Sequence, residues 1–114
     1  MKNMIALGAS VLLLATPTFA ESTAEIVNSI LGKPIYAADT KIVIKKNGRM
    51  SGSFKGQKIG GKWAIEDGLF CRSMTLGGKD LGASCQKFKR VKNGVKVTDV
   101  KGANRKPRTY TFTP

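Results

Sequence analysis

Apolar residues alternate with polar ones through most of this chain from Lys41 onward. A period of two is typical of strands that bury one face and expose the other. The pattern predicts a mainly β protein of about seven short strands. Their inward-facing residues are expected to be Ile42 and Ile44, Met50 and Phe54, Trp63 and Ile65, Phe70 with Met74 and Leu76, Phe88, Val95 and Val97, and Tyr110 and Phe112.

Three dipeptides between these segments favour tight hairpins: Asn47-Gly48, Asp67-Gly68 and Asn93-Gly94. Asn, Asp and Gly accept the two positive φ angles of such turns at low steric cost, so the strands should form an antiparallel meander. Glycines also recur every fourth residue from Gly48 to Gly60. In one extended strand they would share a face and permit bending, which predicts a small barrel or half-barrel.

The segment before the strands has helical spacing. Ser22 and Glu25 have the spacing of a capping box, and Gly32 supplies a stop. Apolar residues between them recur three and four apart, which predicts a short N-terminal helix over residues 23–31. We expect its apolar face to cover an open side or end of the sheet. The alternative is a helix that lies on a membrane, which the acidic Glu21 and Glu25 disfavour.

Two cysteines, Cys71 and Cys85, lie on neighbouring predicted strands with a Gly77-Gly78 reversal between them. Sulfurs on adjacent strands can meet, so we expect a disulfide, with two free thiols as the alternative. The loop closed would contain 15 residues, counting both cysteines. Its closure would stabilise the domain by roughly 3 kcal/mol, a large share of the stability of so small a protein.

The first 20 residues have the layout of a secretory signal. Lys2 precedes a short apolar run, and the small residues Thr18 and Ala20 stand at −3 and −1 of a cleavage site. The run is too short for a membrane-spanning helix, and an uncleaved anchor is the alternative. We therefore expect a signal peptide at residues 1–20 and a single small β domain at residues 21–114. The bacterial periplasm is the expected compartment, and it permits disulfides.

The chain carries 20 Lys and Arg against 7 Asp and Glu, a net charge of +13, and removal of the signal would lower it to +12 by removing Lys2. Such a charge favours anionic partners. The alternative is that the basic clusters are only solvated and protect strand edges from aggregation. The candidate anion-binding residues are Arg72, Lys87, Lys89, Arg90, Arg105, Lys106 and Arg108.

The sequence contains no histidine, which removes the usual general base and the commonest metal ligand. Two cysteines cannot complete a structural zinc site. The segment from Gly56 to Lys62 nearly matches a P-loop, but Trp63 stands where a Ser or Thr hydroxyl is needed, and a strand is predicted to follow instead of a helix. We therefore predict no catalytic residues, no metal site and no cofactor.

The central stretch contains Gly61-Lys62-Trp63, Glu66-Asp67-Gly68, Phe70-Cys71-Arg72, Gly77-Gly78, and Leu81-Gly82 before Cys85-Gln86. In these residues the chain resembles a family of small exported alphaproteobacterial proteins. The resemblance covers most of the exported chain and implies the same fold and disulfide. Members are often labelled dihydrodipicolinate reductase, whereas the reductase itself is a longer cytosolic enzyme with a nicotinamide-binding fold and histidines. The resemblance therefore implies no established activity, and the Arg105 to Arg108 cluster departs from the family pattern.

Arg72 is the matched position with the most chemical interest, because it shares a predicted strand face with Phe70 and Met74. A cation among apolar neighbours can bind a carboxylate or phosphate. It can also pair with a structural acid, or extend its charged end to solvent.

Three functional hypotheses follow. The first, which we favour, is a non-catalytic periplasmic binding protein whose basic rim engages anionic lipid, lipopolysaccharide or an acidic protein. Nucleic acid is disfavoured as a partner, because most aromatic residues lie on the apolar side of their strands. The second is a carrier that holds a small apolar ligand against Phe54, Trp63 and Phe70. The third is an enzyme, as the family label suggests, which would need a nicotinamide cofactor.

Overall fold

A computed structural model describes residues 20–114 of the chain. Consecutive strands pair in antiparallel fashion, and the last pairs with the first to close a barrel. The predicted mainly β fold with one short helix is confirmed, and the predicted signal peptide lies almost wholly outside the described residues. The elements are α1 (Thr23–Ser29), β1 (Pro34–Ala37), β2 (Thr40–Ile44), β3 (Arg49–Phe54), β4 (Gln57–Glu66), β5 (Leu69–Leu76), β6 (Lys79–Val91), β7 (Gly94–Lys101) and β8 (Arg108–Thr111).

The barrel has eight strands where the sequence pattern predicted about seven, and the additional strand is β1. It has only four residues and begins with Pro34, which is tolerated at the first position of a strand. Neither its length nor its composition produces a clear alternation. The strand nevertheless closes the barrel, because Tyr36 pairs with Thr111 of β8.

The hairpin turns follow the predicted chemistry only in part. Asp67-Gly68 has two positive φ angles, 51° and 76°, as expected for the tight turn. At Asn47-Gly48 only Gly48 has a positive φ, so the prediction of two such angles is wrong there. The prediction is also wrong at Asn93-Gly94, where Gly94 already belongs to β7 and the turn begins one residue earlier.

The glycine series does not lie in a single strand, so the prediction that its members share one face is wrong. Lys55 and Gly56 form the turn between β3 and β4, with φ angles of 48° and 82°. Gly52 remains within β3, where a Cβ atom would lie 1.9 Å from the carbonyl oxygen of Lys41. Glycine at this position permits the backbones of β2 and β3 to approach closely.

Helix α1 begins with the predicted capping box. The Ser22 hydroxyl accepts a hydrogen bond from the Glu25 backbone N–H at 3.1 Å, and the Glu25 carboxylate accepts one from the Ser22 N–H at 2.8 Å. The helix ends at Ser29, before the predicted end at residue 31, because Ile30 has already left the helical conformation. Gly32 then adopts a φ of 77°, which suits its role as a stop.

The apolar side of α1 covers one end of the barrel. Ile26 and Val27 are buried in the same core as Phe88, and the helix packs against β5 and β6. The Phe88 backbone N–H donates a buried hydrogen bond of 3.0 Å to the Thr23 hydroxyl. The opposite end, where the Gly77-Gly78 turn lies, has no such helix among the described residues, and we call it the mouth. No described helix has the length and apolar character needed to cross a membrane.

The predicted disulfide between Cys71 and Cys85 is confirmed. The two residues lie directly opposite each other on β5 and β6. They alternate with the inward-facing Phe70, Arg72 and Gln86, so the disulfide lies on the outer face of the barrel.

Candidate functional site

The inner face of the barrel is apolar near α1, and toward the mouth it carries a group of polar residues beside an apolar wall. Five polar residues occupy inward-facing positions on their strands: Arg72, Ser84, Gln86, Asp99 and Arg108. Gln86 lies directly opposite Asp99 across β6 and β7. The loop of residues 102–107 then brings Arg105 to the same place. We call Arg72, Arg105 and Arg108 the arginine cluster.

Asp99 holds this group together, and its side chain is fully buried. Oδ1 accepts hydrogen bonds from Ser84 Oγ at 3.4 Å, Gln86 Nε2 at 3.0 Å and Arg108 Nη2 at 3.2 Å. Oδ2 accepts from the backbone N–H and the Nε of Arg105, at 2.8 and 3.1 Å. Burial acts to raise the pKa of Asp99, but these hydrogen bonds outweigh it and hold the pKa well below its usual range.

Asp99 has no free hydrogen-bonding position for Arg72, although its negative charge acts through space to raise the pKa of Arg72. A carboxylate offers about four lone-pair positions, and the donors from Ser84, Gln86, Arg105 and Arg108 already fill them. Among the described residues, the ion pairs of Asp99 are with Arg105 and Arg108. The cluster therefore contains three guanidinium groups against one carboxylate.

Arg72 is a buried cation that forms no ion pair within the described part of the chain. It is only 6% exposed, so its guanidinium has little contact with solvent. Its one hydrogen bond there runs from Nη1 to the Gly82 carbonyl oxygen at 3.4 Å, which is long. Burial lowers the pKa of Arg72, and the nearby charge of Arg105 lowers it further. A guanidinium nevertheless stays protonated, so the positive charge remains.

Arg105 and Arg108 also keep donors available for a ligand. Arg108 Nη1 donates to the Lys106 carbonyl oxygen at 3.0 Å, but its Nε is buried without a hydrogen-bond partner in residues 20–114. The Arg105 side chain is 42% exposed, and the hydrogen bond that it donates comes from Nε. An anion at the mouth can therefore contact the exposed Arg105 guanidinium without displacing Asp99, whereas the free Nε of Arg108 is buried deeper in the barrel.

A pocket of about 230 Å³ opens at the mouth beside this cluster. Arg105 and Arg108 line it, and they also line a smaller cavity of about 30 Å³ deeper in the barrel, which Arg72 reaches. The pocket is therefore cationic on one side and apolar on the other. Its apolar wall consists of Ile42, Phe54, Ile59, Met74, Leu76 and Leu81.

The structure brings together three of the seven residues that the sequence singled out for anion binding, namely the arginine cluster. Lys87 and Lys89 instead project from the outer face of β6, and Lys106 is exposed in the loop over the mouth. Arg90 lies at the α1 end, where it pairs with Glu21 and donates to the Ser29 hydroxyl.

The predicted apolar wall is also divided between the two ends of the barrel. Phe54 lines the mouth pocket. Trp63 and Phe70 instead stack on each other near α1, with ring centroids 5.6 Å apart, and Trp63 Nε1 donates to the Lys45 carbonyl oxygen at 2.8 Å. These two rings belong to the core. Ile65, also expected to face inward, is 37% exposed at the end of β4.

Sequence reasoning missed Asp99 and Gln86. A signal was present for Asp99, since it follows Val95 and Val97 at the same period of two that placed both valines inside. A carboxylate in register with two core valines indicates a buried acid. The same signal marks Gln86, which lies two residues before the inward-facing Phe88, although its hydrogen bond follows only from its position opposite Asp99.

Residues 20–114 contain no group of three or more His, Cys, Asp or Glu side chains that could hold a metal ion. No protein-family model, curated protein or solved structure matches this chain. Its function is therefore inferred from the geometry of the mouth.

Proposed function

We propose that this chain is a non-catalytic binding protein whose ligand is a small amphipathic anion held at the barrel mouth. The ligand would place a carboxylate or phosphate group among the arginine cluster and its apolar part against the wall that contains Phe54 and Leu76. This proposal combines anion binding with apolar ligand binding, the first two hypotheses drawn from the sequence.

The observation that carries the proposal is the buried charge of Arg72. Removing a cation from water costs several kcal/mol unless an anion and further hydrogen bonds compensate for it. Asp99 has no free hydrogen-bonding position for Arg72, and Arg72 has little contact with solvent. A ligand anion would supply the missing charge, and guanidinium groups suit planar, bidentate contacts with carboxylate and phosphate.

The pocket limits the size of the ligand. Its volume of about 230 Å³ is below the usual range for drug-sized ligands, and the barrel interior beyond it is filled by core side chains. The ligand should therefore have a short apolar part. We place this binding in the bacterial periplasm or outside the cell, which is supported by the signal-like residues 1–20 and by the disulfide.

Calorimetric titration with six-carbon probes tests the proposal. We expect hexyl phosphate or hexanoate to bind, and hexanol and hexylammonium to bind much more weakly. Arg72→Met should weaken binding of the anionic probe about tenfold to a hundredfold, the range for loss of a charge-assisted hydrogen bond. Arg49→Met removes the same charge at an exposed position on β3 and should leave binding nearly unchanged.

The same variant separates a binding role from a structural one. If Arg72 is an uncompensated buried charge, Arg72→Met should keep or raise the Tm of the ligand-free protein, because an apolar side chain of similar length avoids the desolvation cost. Equal binding of hexanol and hexyl phosphate would contradict the proposal. So would unchanged binding in Arg72→Met.

A further inference from the structure

The outer face of β6 and β7 carries four exposed lysines, which we call the lysine face: Lys87, Lys89, Lys96 and Lys101. Lys101 lies opposite the outward-facing Cys85, and Lys89 lies opposite Lys96. Asp99 is the one acid in the paired segments of residues 85–91 and 94–101, and it is buried inside the barrel. The lysine face therefore presents positive charge with no carboxylate of its own.

The pairing of Lys89 with Lys96 is unfavourable for the fold. Like charges that are directly opposite across two antiparallel strands destabilise the sheet. Neither ammonium group lies within ion-pair distance of a carboxylate in residues 20–114. Both ammonium groups are exposed to solvent, and no carboxylate of the described barrel competes with an external anion for them.

Basic residues on the other side of the barrel have a different environment. Lys41 shares a surface depression with Asp39, and Lys62 shares depressions with Glu66 and Asp80. Neither lysine forms an ion pair in residues 20–114, but each has an acidic residue in the surface around it. The lysine face is thus distinguished from the general positive charge of the molecule.

We propose that the lysine face docks this protein on a bilayer that contains anionic phospholipid. Flexible lysines near an anionic leaflet attract its phosphate groups without needing a shaped pocket. No aromatic side chain projects from this face of the described strands, since Phe88 points inward. The face thus lacks the stacking platforms of nucleic-acid sites and the aromatic anchors of most protein interfaces. This proposal is independent of the ligand at the mouth.

Co-sedimentation with lipid vesicles tests it. The oxidised protein should bind vesicles of phosphatidylglycerol and phosphatidylcholine, should not bind phosphatidylcholine alone, and should be released as salt rises. The triple variant Lys87→Gln, Lys89→Gln and Lys96→Gln should bind about a hundredfold more weakly. The matched control, Lys41→Gln, Lys58→Gln and Lys62→Gln, removes the same charge from exposed positions on β2 and β4 and should lose much less.

Three results would overturn the proposal: no binding to the anionic vesicles, unchanged binding of the lysine-face variant, or an equal loss in the two triple variants. The last would show that total charge alone drives adsorption. The lysine-face variant should still bind hexyl phosphate, and Arg72→Met should still bind vesicles. Failure at one site can therefore be distinguished from failure at the other.

Discussion

At the scale of single residues, Asp99 and Arg72 are both inward-facing charged residues near the mouth, but they differ in how well their charges are hydrogen-bonded. The Asp99 carboxylate accepts five hydrogen bonds, which fill its lone-pair positions. The buried guanidinium of Arg72, in contrast, makes one long hydrogen bond in the described structure. The first arrangement stabilises the folded state. The second leaves the folded state with a charge that a ligand can compensate. We therefore assign Asp99 a structural role and Arg72 a binding role.

The depressed pKa of Asp99 predicts how stability depends on pH. The carboxylate is stabilised in the folded state, so its contribution is fully present above its unfolded pKa of about 4. The contribution is lost as the pH falls below that value toward the lower folded pKa. Asp99→Asn should lower the free energy of unfolding by about 3 kcal/mol at neutral pH. It should also flatten the dependence between about pH 5 and pH 2, measured by urea unfolding.

Glu21→Gln is the control for this measurement. The pKa of Glu21 is also lowered, chiefly by its hydrogen bond with Arg90, but that pair is exposed and should contribute little. An Asp99→Asn variant whose acid dependence matches that of the wild-type protein would show that Asp99 is not the group responsible.

At the scale of elements, alternation predicts which way a strand residue points better than it predicts where the strand ends. It correctly placed Arg72 on the inner face of β5. It also placed Lys87 and Lys89 together on one face of β6, which is the outer face. It missed β1, which is too short to alternate clearly. It also placed the turn between β6 and β7 one residue too late, at Asn93-Gly94 instead of Lys92-Asn93. Turn-forming residues are present at either position, so composition alone does not separate the two registers.

The opposed pair Lys89 and Lys96 gives a prediction at this scale. Lys89→Glu replaces a like-charge pair with an opposite-charge pair and should stabilise the protein by about 0.5 kcal/mol. For a domain of this size, that corresponds to a rise in Tm of about 2–4 °C. The control is Lys87→Glu, which makes the same charge change opposite the uncharged Thr98 and should raise the Tm less. Equal shifts in a calorimetric scan would mean that the pairing is not responsible.

At the scale of the whole molecule, the barrel has two unlike ends. The helix, its cap and its apolar face were predictable from sequence because they depend on neighbours within a few residues. The mouth was not predictable, because the loop of residues 102–107 is positioned by contacts with Asp99 that form only once β6, β7 and β8 are paired. The candidate arginines were therefore identified in the sequence, but their meeting point was not.

The most direct test of the account is to locate the ligand by NMR. Amide and arginine Nε–H resonances of the isotope-labelled, oxidised protein would be followed during titration with hexyl phosphate, with hexanol as the control. We predict saturable shifts at Leu81, Arg105, Arg108 and the Nε–H of Arg72, while the resonances of Val27 in α1 stay in place. Shifts confined to α1 or to the lysine face, with the mouth unchanged at saturation, would contradict the central claim that the mouth is the binding site.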